Sequence, residues 1–453
     1  MTKQVTAANV SMSEVNRATY LKHLLTQASA AADESSLPLK EIREEAIAQV
    51  NNRTFPSGRD EEWRFTDLSD MLTQPFQRAV QNEQNNQQPP ASIQDTYQLS
   101  SINGYYSASA STLVNRPEVV IAPLSKLLGT PEYNQKLAPL LSKKLAKVKG
   151  SDEVFTALNT AGFSDIMVIW IAADQTIEEP IYINRHSQQN PSQEKAIAHL
   201  RTLVIAERHT KITLVETFSC DHTSASNSNT HCNTSVTEIW LADGANVNHI
   251  RVQDEGTETF HIAKTAVDQA ANSQYQCTTI DLGSKLSRHH LEVYQSGPQT
   301  STNLYGLSVL KGEQLADTHS MLTLNYPHSS ADQIQKNIVA DKAHAVFNGR
   351  VFVSQTAQLT DAAQINRNLM LSSKARIDTK PELDIVADNV KCAHGATVSQ
   401  LQPNEIFYLQ SRGIAAHQAQ RLLLYGFAME IVEKISIASL RQSLSDRLTE
   451  WAK

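Results

Sequence analysis

From about residue 200 to 400 this chain shows no amphipathic helix, only a succession of short β-type runs that begins with IMVIWIAA at Ile166. PIYIN, RTLVIAE, KITLVET, SVTEIWLA, NVNHIRVQ, TFHIAKTAV, LEVYQ, NLYGLSVL, SMLTLNY, QKNIVA, AVFNGRVFV, NLMLS and LDIVA follow. Val, Ile and Thr dominate them, and Asn, Asp, Ser, Gly and Gln break them. So many strands without crossover helices exclude a doubly wound α/β sheet. A propeller is expected to show a blade-length repeat with a signature dipeptide, and none is present. The close, uneven rhythm favours a parallel β-helical solenoid, with a two-sheet sandwich as the alternative.

The flanks are helical. Leu21, Leu24 and Leu25 share one face of a helix within Ser13 to Asn51, whose second segment runs from Leu39 to Val50. Pro56 and Gly58 interrupt it before FTDLSDML. The polar stretch from Gln81 to Gln94 reads as a linker. β structure is expected from Val119, interrupted by a helical insertion near 131–159. Pro403 opens a helix that Gly413 closes, a second helix runs from about Ala415 to Ile435, and Ile437, Leu440, Leu444, Leu448 and Trp451 draw one apolar stripe on a third. That stripe needs cover, from the preceding helix or from a partner. The expected division is a helical region with linker over 1–115, a β-helix core over 116–400 and a helical domain over 401–453.

A net charge of -7 and a pI near 6.1 give no general attraction to nucleic acid or anionic lipid. Cys220, Cys232, Cys277 and Cys392 are too few and scattered for a secreted disulfide framework. No signal peptide is evident at the start, and no apolar run reaches membrane-spanning length. The expectation is a cytoplasmic protein, or a stromal one after trimming of a precursor.

No phosphate-binding loop, dinucleotide fingerprint, H-E-x-x-H or G-x-S-x-G occurs, which argues against a self-contained enzyme. The most pointed chemistry lies in VKCAHGATV, Val390 to Val398. On an extended strand Cys392 and His394 leave the same face, so thiol and imidazole could together hold a soft metal. They are equally readable as a small buried thiol and a hydrogen-bonded imidazole. As ligands they are incomplete, since zinc and iron–sulfur sites take about four. Cys220, His222, His231 and Cys232 resemble a zinc set only superficially, because His231 and Cys232 are adjacent and face opposite ways on a strand. His319, His328 and His344 are second-tier ligand candidates whose ordinary role would be as turn or core residues. Glu61 and Glu62, beside Arg59 and Arg64, fit a solvated helix face better than acid–base catalysis.

Several blocks in order carry a resemblance: RDEEWRFTDL (Arg59 to Leu68), FTALNTAGFSD (Phe155 to Asp165), TEIWLADGANVNHIRVQ (Thr237 to Gln253), HAVFNGRVFV (His344 to Val353), DNVKCAHGATV, IFYLQSRGI (Ile406 to Ile414) and LLLYGFAMEIV. Together they resemble the SufB/SufD family of the SUF iron–sulfur cluster assembly machinery, on its SufD side. The resemblance implies a right-handed parallel β-helix between helical ends, a heterodimer with a SufB-like paralogue, and homodimers in isolation. It implies a SufC-like ATPase docked on the C-terminal helices, here the region of Phe407, Tyr408, Arg412, Gly413, Tyr425 and Phe427. A transient iron–sulfur cluster or iron would be shared with SufB, the histidine ligand corresponding to His394 and Cys392 standing as an auxiliary ligand or a structural thiol. A cysteine desulfurase system and cluster acceptors would connect through the complex, which in this family can carry reduced flavin; no motif here marks a flavin site. Where SufB has a cysteine, the best ungapped comparison puts Asn366, which supplies no thiolate. The implied role is a non-catalytic subunit. A SufB-like paralogue, a purely structural interaction subunit and, remotely, a polysaccharide-acting β-helix enzyme are the alternatives.

Overall fold

The structure, a computed structural model, describes residues 14–34, 39–81, 96–130, 136–149, 153–188, 193, 195–221 and 230–451. The expected linker lies outside the described residues except for Gln81. The N-terminal part supplies α1 (Glu14–Glu34), α2 (Lys40–Asn51), the single turn α3 (Ser69–Leu72) and the short strand β1 (Gln77–Arg78). β2 (Tyr97–Ile102), β3 (Tyr105–Tyr106), β4 (Val114–Arg116) and β5 (Val119–Pro123) come next, then α4 (Leu124–Leu127), α5 (Ala138–Lys144) and α6 (Val154–Gly162).

The long β region is β6 (Met167–Ile171), β7 (Ile181–Ser187), β8 (Lys195–Ala206), β9 (Lys211–Cys220), β10 (Thr230–Leu241), β11 (Asn246–Asp254), β12 (Thr259–Gln269) and β13 (Gln274–Asp281). It continues through β14 (Leu286–Gln295), β15 (Ser301–Leu310), β16 (Leu315–Leu324), β17 (Ser330–Val339), β18 (His344–Val353), β19 (Asp361–Met370), β20 (Arg376–Ile385) and β21 (Lys391–Ser399). Helices α7 (Pro403–Ser411), α8 (Ala416–Val432) and α9 (Ala438–Trp451) end it.

From β6 onward, even-numbered strands build one sheet and odd-numbered strands the other, each pairing in parallel with the strand one coil away. The expected parallel β-solenoid is therefore what forms, in about seven turns with helical ends. β2 already joins the odd sheet beside β7, so β structure starts ahead of Val119. β13 escaped the sequence reading because QYQCTTID carries few aliphatic residues, yet Tyr275, Cys277 and Thr279 are buried on one face of it.

Alternation sorts each strand. In β8, Val204 and Ala206 enter the axial core, while Leu203 and Ile205 pack outward in a cluster with Leu124 and Leu127 of α4 and Leu141 of α5. That axial core runs from Leu99 through Ile239 and Leu322 to Ala387. The outer face of the odd sheet is covered by α8 and α9, where Ile250, Ile280 and Leu307 meet Ile431, Leu444 and Leu448. The apolar stripe of α9 is thus covered within the chain, by α8 and the sheet, with Ile437, Leu440 and Trp451 packed on the same cluster.

One corner is a column of left-handed residues. Asp174, His209, Gly244, Asn272, Gln299, His328 and Leu359 all have φ between 52° and 70°. Each donates its N–H to a carbonyl of the next coil, as Gln299 does to Pro327 and His328 to Gln358. Asp, Asn, His and Gly tolerate this conformation best. His328 is accounted for as one rung of this corner.

Polar residues also enter the lumen. Glu216 and His249 meet at 3.1 Å with both side chains buried. Burial alone would raise the Glu216 carboxyl and lower the His249 imidazolium, yet Cys277 and then Glu216 take His249 to about 9, while His249, with Arg185 and Thr237, takes Glu216 to about 2. Further along, a Cβ on Gly306 would lie 1.8 Å from Gln335 Oε1. Gly306→Ala is therefore expected to destabilise the protein by about 1–3 kcal/mol through overpacking. A urea midpoint equal to that of the unmodified chain would show slack in the lumen at this coil.

Candidate functional site

The amino-terminal end of the solenoid is closed by antiparallel pairs, β2 with β3 and β4 with β5. At the other end β20 and β21 each have a neighbour on one side only among the described residues. The C-terminal helices leave these edges and fold back along the odd sheet, held by a bidentate Arg447–Asp254 pair at 3.0 Å and by Lys336 with Glu430. The result is an open end in which β21 is exposed along nearly its whole length.

The two edges differ. β20 carries Arg376, Asp378, Lys380, Glu382 and Asp384 on its outer face and Pro381 in its middle, features that discourage indiscriminate pairing. β21, KCAHGATVS, has one charged residue and no proline. Its backbone donors and acceptors stand ready for another strand.

Cys392 and His394 occupy this edge. Cys392 pairs in register with Ala362 and packs against the axial core, so it points inward. His394, two residues on, shares that face and is exposed because no coil lies above it. Burial pushes the half-covered Cys392 thiol up, and Asp361 adds to this against a hydrogen bond to the Ala362 backbone. Among the described residues no group of three or more His, Cys, Asp or Glu could hold a metal ion. What the chain offers is one exposed imidazole with a thiol beside it. Asn366 is fully buried and its carboxamide is engaged: Asn366 Nδ2 donates to Gln335 O at 3.1 Å, and Thr379 Oγ1 donates to Asn366 Oδ1 at 2.7 Å.

The other candidates lie apart from this edge. His319 is buried on the outer face of the even sheet, its Nδ1 3.1 Å from Glu62 and its Nε2 3.0 Å from Asp317. Asp317 also takes Arg288 and the Thr66 hydroxyl, and the Arg288 guanidinium lies 3.9 Å over Trp63. Glu61, for its part, pairs with Lys380 at 2.5 Å. The glutamates are solvated as read, with both side chains exposed, and in addition they clasp the N-terminal segment to β16 and β20. His344 Nε2 lies 2.7 Å from Asp378, and burial lowers its pKa. His328 is exposed at the corner. In the Cys220–Cys232 segment, Cys232 is buried against the N-terminal helices, and His222 lies outside the described residues.

On the C-terminal helices, Gly413 has φ 86° and closes α7 by donating to Gln410 O while Ile414 donates to Leu409 O. This turn leaves Phe407 71% and Tyr408 58% exposed, with Leu422 and Tyr425 also open. Arg412 lies 5.4 Å over the Tyr408 ring. Phe427 differs: it packs inward, with Lys336 Nζ 4.3 Å over its ring, and anchors α8 to the sheet.

Residues 187–427 match the SUF system FeS cluster assembly SufBD core domain, and residues 14–183 match the SufBD protein N-terminal region. The chain belongs to the SufBD family. It is 39% identical over 433 residues to an iron–sulfur cluster assembly SufBD family protein of Synechocystis, covering 94% of this chain and 93% of that protein. It is 31% identical to protein ABCI7, chloroplastic, of Arabidopsis thaliana, over 93% of this chain and 88% of the relative. To the iron–sulfur cluster assembly protein SufD of Escherichia coli it is 27% identical, over 89% of this chain and 90% of the relative. The chain is thus a SUF-system protein of the SufBD family, and its similarity to proteins named SufD is consistent with a SufD-type subunit. Among the described residues no helix is long and apolar enough to cross a membrane.

The His319 clasp gives a pH signature. Burial lowers the imidazolium's pKa, but Asp317 and Glu62 outweigh that and hold it above 6.5. Asp317 is held well below its ordinary range by Arg288 and His319 in spite of burial. The imidazolium's contribution is complete below pH 6.5 and is lost as pH rises through the raised value; that of Asp317 is complete above its ordinary 3.8 and is lost only in strong acid. Thermal midpoints of the unmodified protein should therefore fall relative to His319→Gln on passing from pH 6 to pH 9. Parallel profiles would mean that the clasp bears no charge.

Proposed function

We propose that this protein is a non-catalytic scaffold subunit that joins a SufB-like paralogue through the open end of its solenoid and contributes His394 to a nascent iron–sulfur cluster, or to iron, held between the two. The single observation that carries this reading is the inward-facing, exposed imidazole on an unguarded edge strand, with no complete ligand set around it among the described residues. An imidazole alone is a weak and releasable hold, which suits cargo that must be passed on. The remaining ligands come from the partner. Cys392, its thiol favoured in the protonated form, serves as an auxiliary ligand at most.

The exposed patch of Phe407, Tyr408, Leu422 and Tyr425, with Arg412 over Tyr408, docks a SufC-like ATPase. Aromatic residues and arginine are the side chains on which such interfaces most often concentrate their binding energy. Gly413 sets the angle between α7 and α8, and Phe427 holds α8 on the sheet from which movement of the ATPase is felt. The three regions of the chain thus divide the work: within 1–115 the segment around Glu61, Glu62 and Thr66 clasps the even sheet, 116–400 form the scaffold and 401–453 receive the ATPase. A cysteine desulfurase system and cluster acceptors reach the site through the assembled complex, in the cytoplasm or a plastid stroma.

Two measurements test this. Anaerobic reconstitution of the three-subunit complex should yield cluster absorption and Mössbauer signals that His394→Ala reduces by at least about tenfold, with subunit association unchanged; full signal from that variant removes the ligand role. Phe407→Asp with Tyr408→Asp should weaken ATPase capture by about 2 kcal/mol or more while leaving the paralogue bound, and equal capture would move the docking surface elsewhere.

A further inference from the structure

Resting on the assignment of His394 as a ligand, we infer that Gln364 is a positioning residue for it: the Gln364 carboxamide oxygen accepts the N–H of one ring nitrogen of His394, leaving the other nitrogen's lone pair for iron. The inward column of the odd sheet runs in register through Leu304, Gln333, Gln364 and His394. Above Leu304 it is a ladder of amides. Gln364 Nε2 donates to Gln333 Oε1 at 2.9 Å, and Gln333 Nε2 donates to Ser320 Oγ at 2.7 Å. Each amide therefore spends its N–H group on the rung below or across; the Gln333 oxygen accepts from the rung above and also from Ser320 Oγ at 3.1 Å.

For Gln364 that oxygen is buried and has no partner, although the residue is 0% exposed. Buried carbonyl oxygens are rarely left so unless a donor arrives. The next rung is His394, which carries such a donor in its neutral ring. Parallel neighbours stand about 4.8 Å apart, within reach of a glutamine and an imidazole that share a face.

Gly349, on the facing sheet, independently fixes where the amide sits. A Cβ there would lie 2.4 Å from Gln364 Nε2 and 3.1 Å from its Cδ, so the carboxamide occupies space that only glycine leaves open. An imidazole bonded through one nitrogen to a carbonyl has a fixed tautomer and a fixed aim for the other, the arrangement by which metal-ligating histidines are generally oriented. Asn366, next along β19, cannot substitute, since Asn368 and Thr379 already donate to its oxygen.

The test uses the full chain labelled with 15N-histidine at one fixed pH above neutrality, His394 being assigned by loss of its signals in His394→Asn. Long-range proton–nitrogen spectra of the unmodified chain should show one His394 tautomer dominating several-fold over the free-imidazole ratio. Gln364→Met, similar in size but without an oxygen acceptor, should return the ratio toward the free value, and Gln364→Glu should restore the bias. Gly349→Ala, whose Cβ displaces the amide without altering it and also meets Phe347 Cζ at 2.5 Å, should weaken the bias as well, which gives a second variant on which the inference is read. An unbiased tautomer in the unmodified chain, or a bias that survives Gln364→Met, overturns it. Ferrous iron retained by the complex with the paralogue is then measured, with about a tenfold loss expected for Gln364→Met. Loss of the bias together with iron retention indifferent to His394→Ala would sustain the positioning role and sink the ligand assignment. A bias untouched by Gln364→Met together with iron lost in His394→Ala would do the reverse.

Discussion

Every strand of the solenoid depends on the coil before and the coil after it for its backbone hydrogen bonds, and that dependence cannot be satisfied at a free end. The chain resolves it differently at its two ends. Near β2 and β4 it turns back on itself with antiparallel strands, while at β20 and β21 it stops. The helices that follow do not cover the edge. They are tied instead to the flank of the odd sheet by Arg447, Lys336 and Asn248. An open ladder with its natural lid pinned elsewhere is the arrangement from which the placement of His394 and Cys392 follows.

The lumen carries a second theme. Close to the N-terminal end aliphatic Ile169, Ile183 and Leu214 share it with the buried Arg185 and Glu216. Toward the open end it fills with amides, Gln333, Gln335, Gln364, Asn366 and Asn368, that bond from coil to coil and along their own strands. Stacked amides add stability by bonding along the stack as well as across it. They also resist slippage, because shifting one strand by a single residue would turn its amides outward and strand their partners. The imidazole at the edge is therefore built on a rigid column rather than on a loop.

Much of this was legible in the sequence because strand identity is written in β-branched residues and breaks. β13 was lost for the opposite reason: its inward Tyr275, Cys277, Thr279 and Asp281 satisfy one another and the neighbouring coils by hydrogen bonding, which leaves no aliphatic alternation to read. The gap it left between NVNHIRVQ and NLYGLSVL was the available signal, since Val247 registers on Tyr275 and Tyr275 on Thr302. The coil repeat stayed hidden because the corner is conserved in backbone and not in residue type: Asp174, His209, Gly244, Asn272, Gln299, His328 and Leu359 hold the same conformation. At the edge, the shared face of Cys392 and His394 was readable from alternation, whereas Gln364 lies thirty positions away in register and could be found only once the coils were stacked. The pairing of Glu62 with His319, separated by 257 residues, was beyond reach for the same reason.

Pro381 has one more consequence. It sits in the ladder between β18 and β20 without interrupting it, so the donor it lacks is missing on the free side. A strand laid along β21 finds every rung, and one laid along β20 misses one and meets a row of charges. A seam formed at this end is consequently lopsided, firm along one sheet and looser along the other. Torque on the joined pair would open it like a book, spine at β21, toward the side where the lumen and its imidazole come into view.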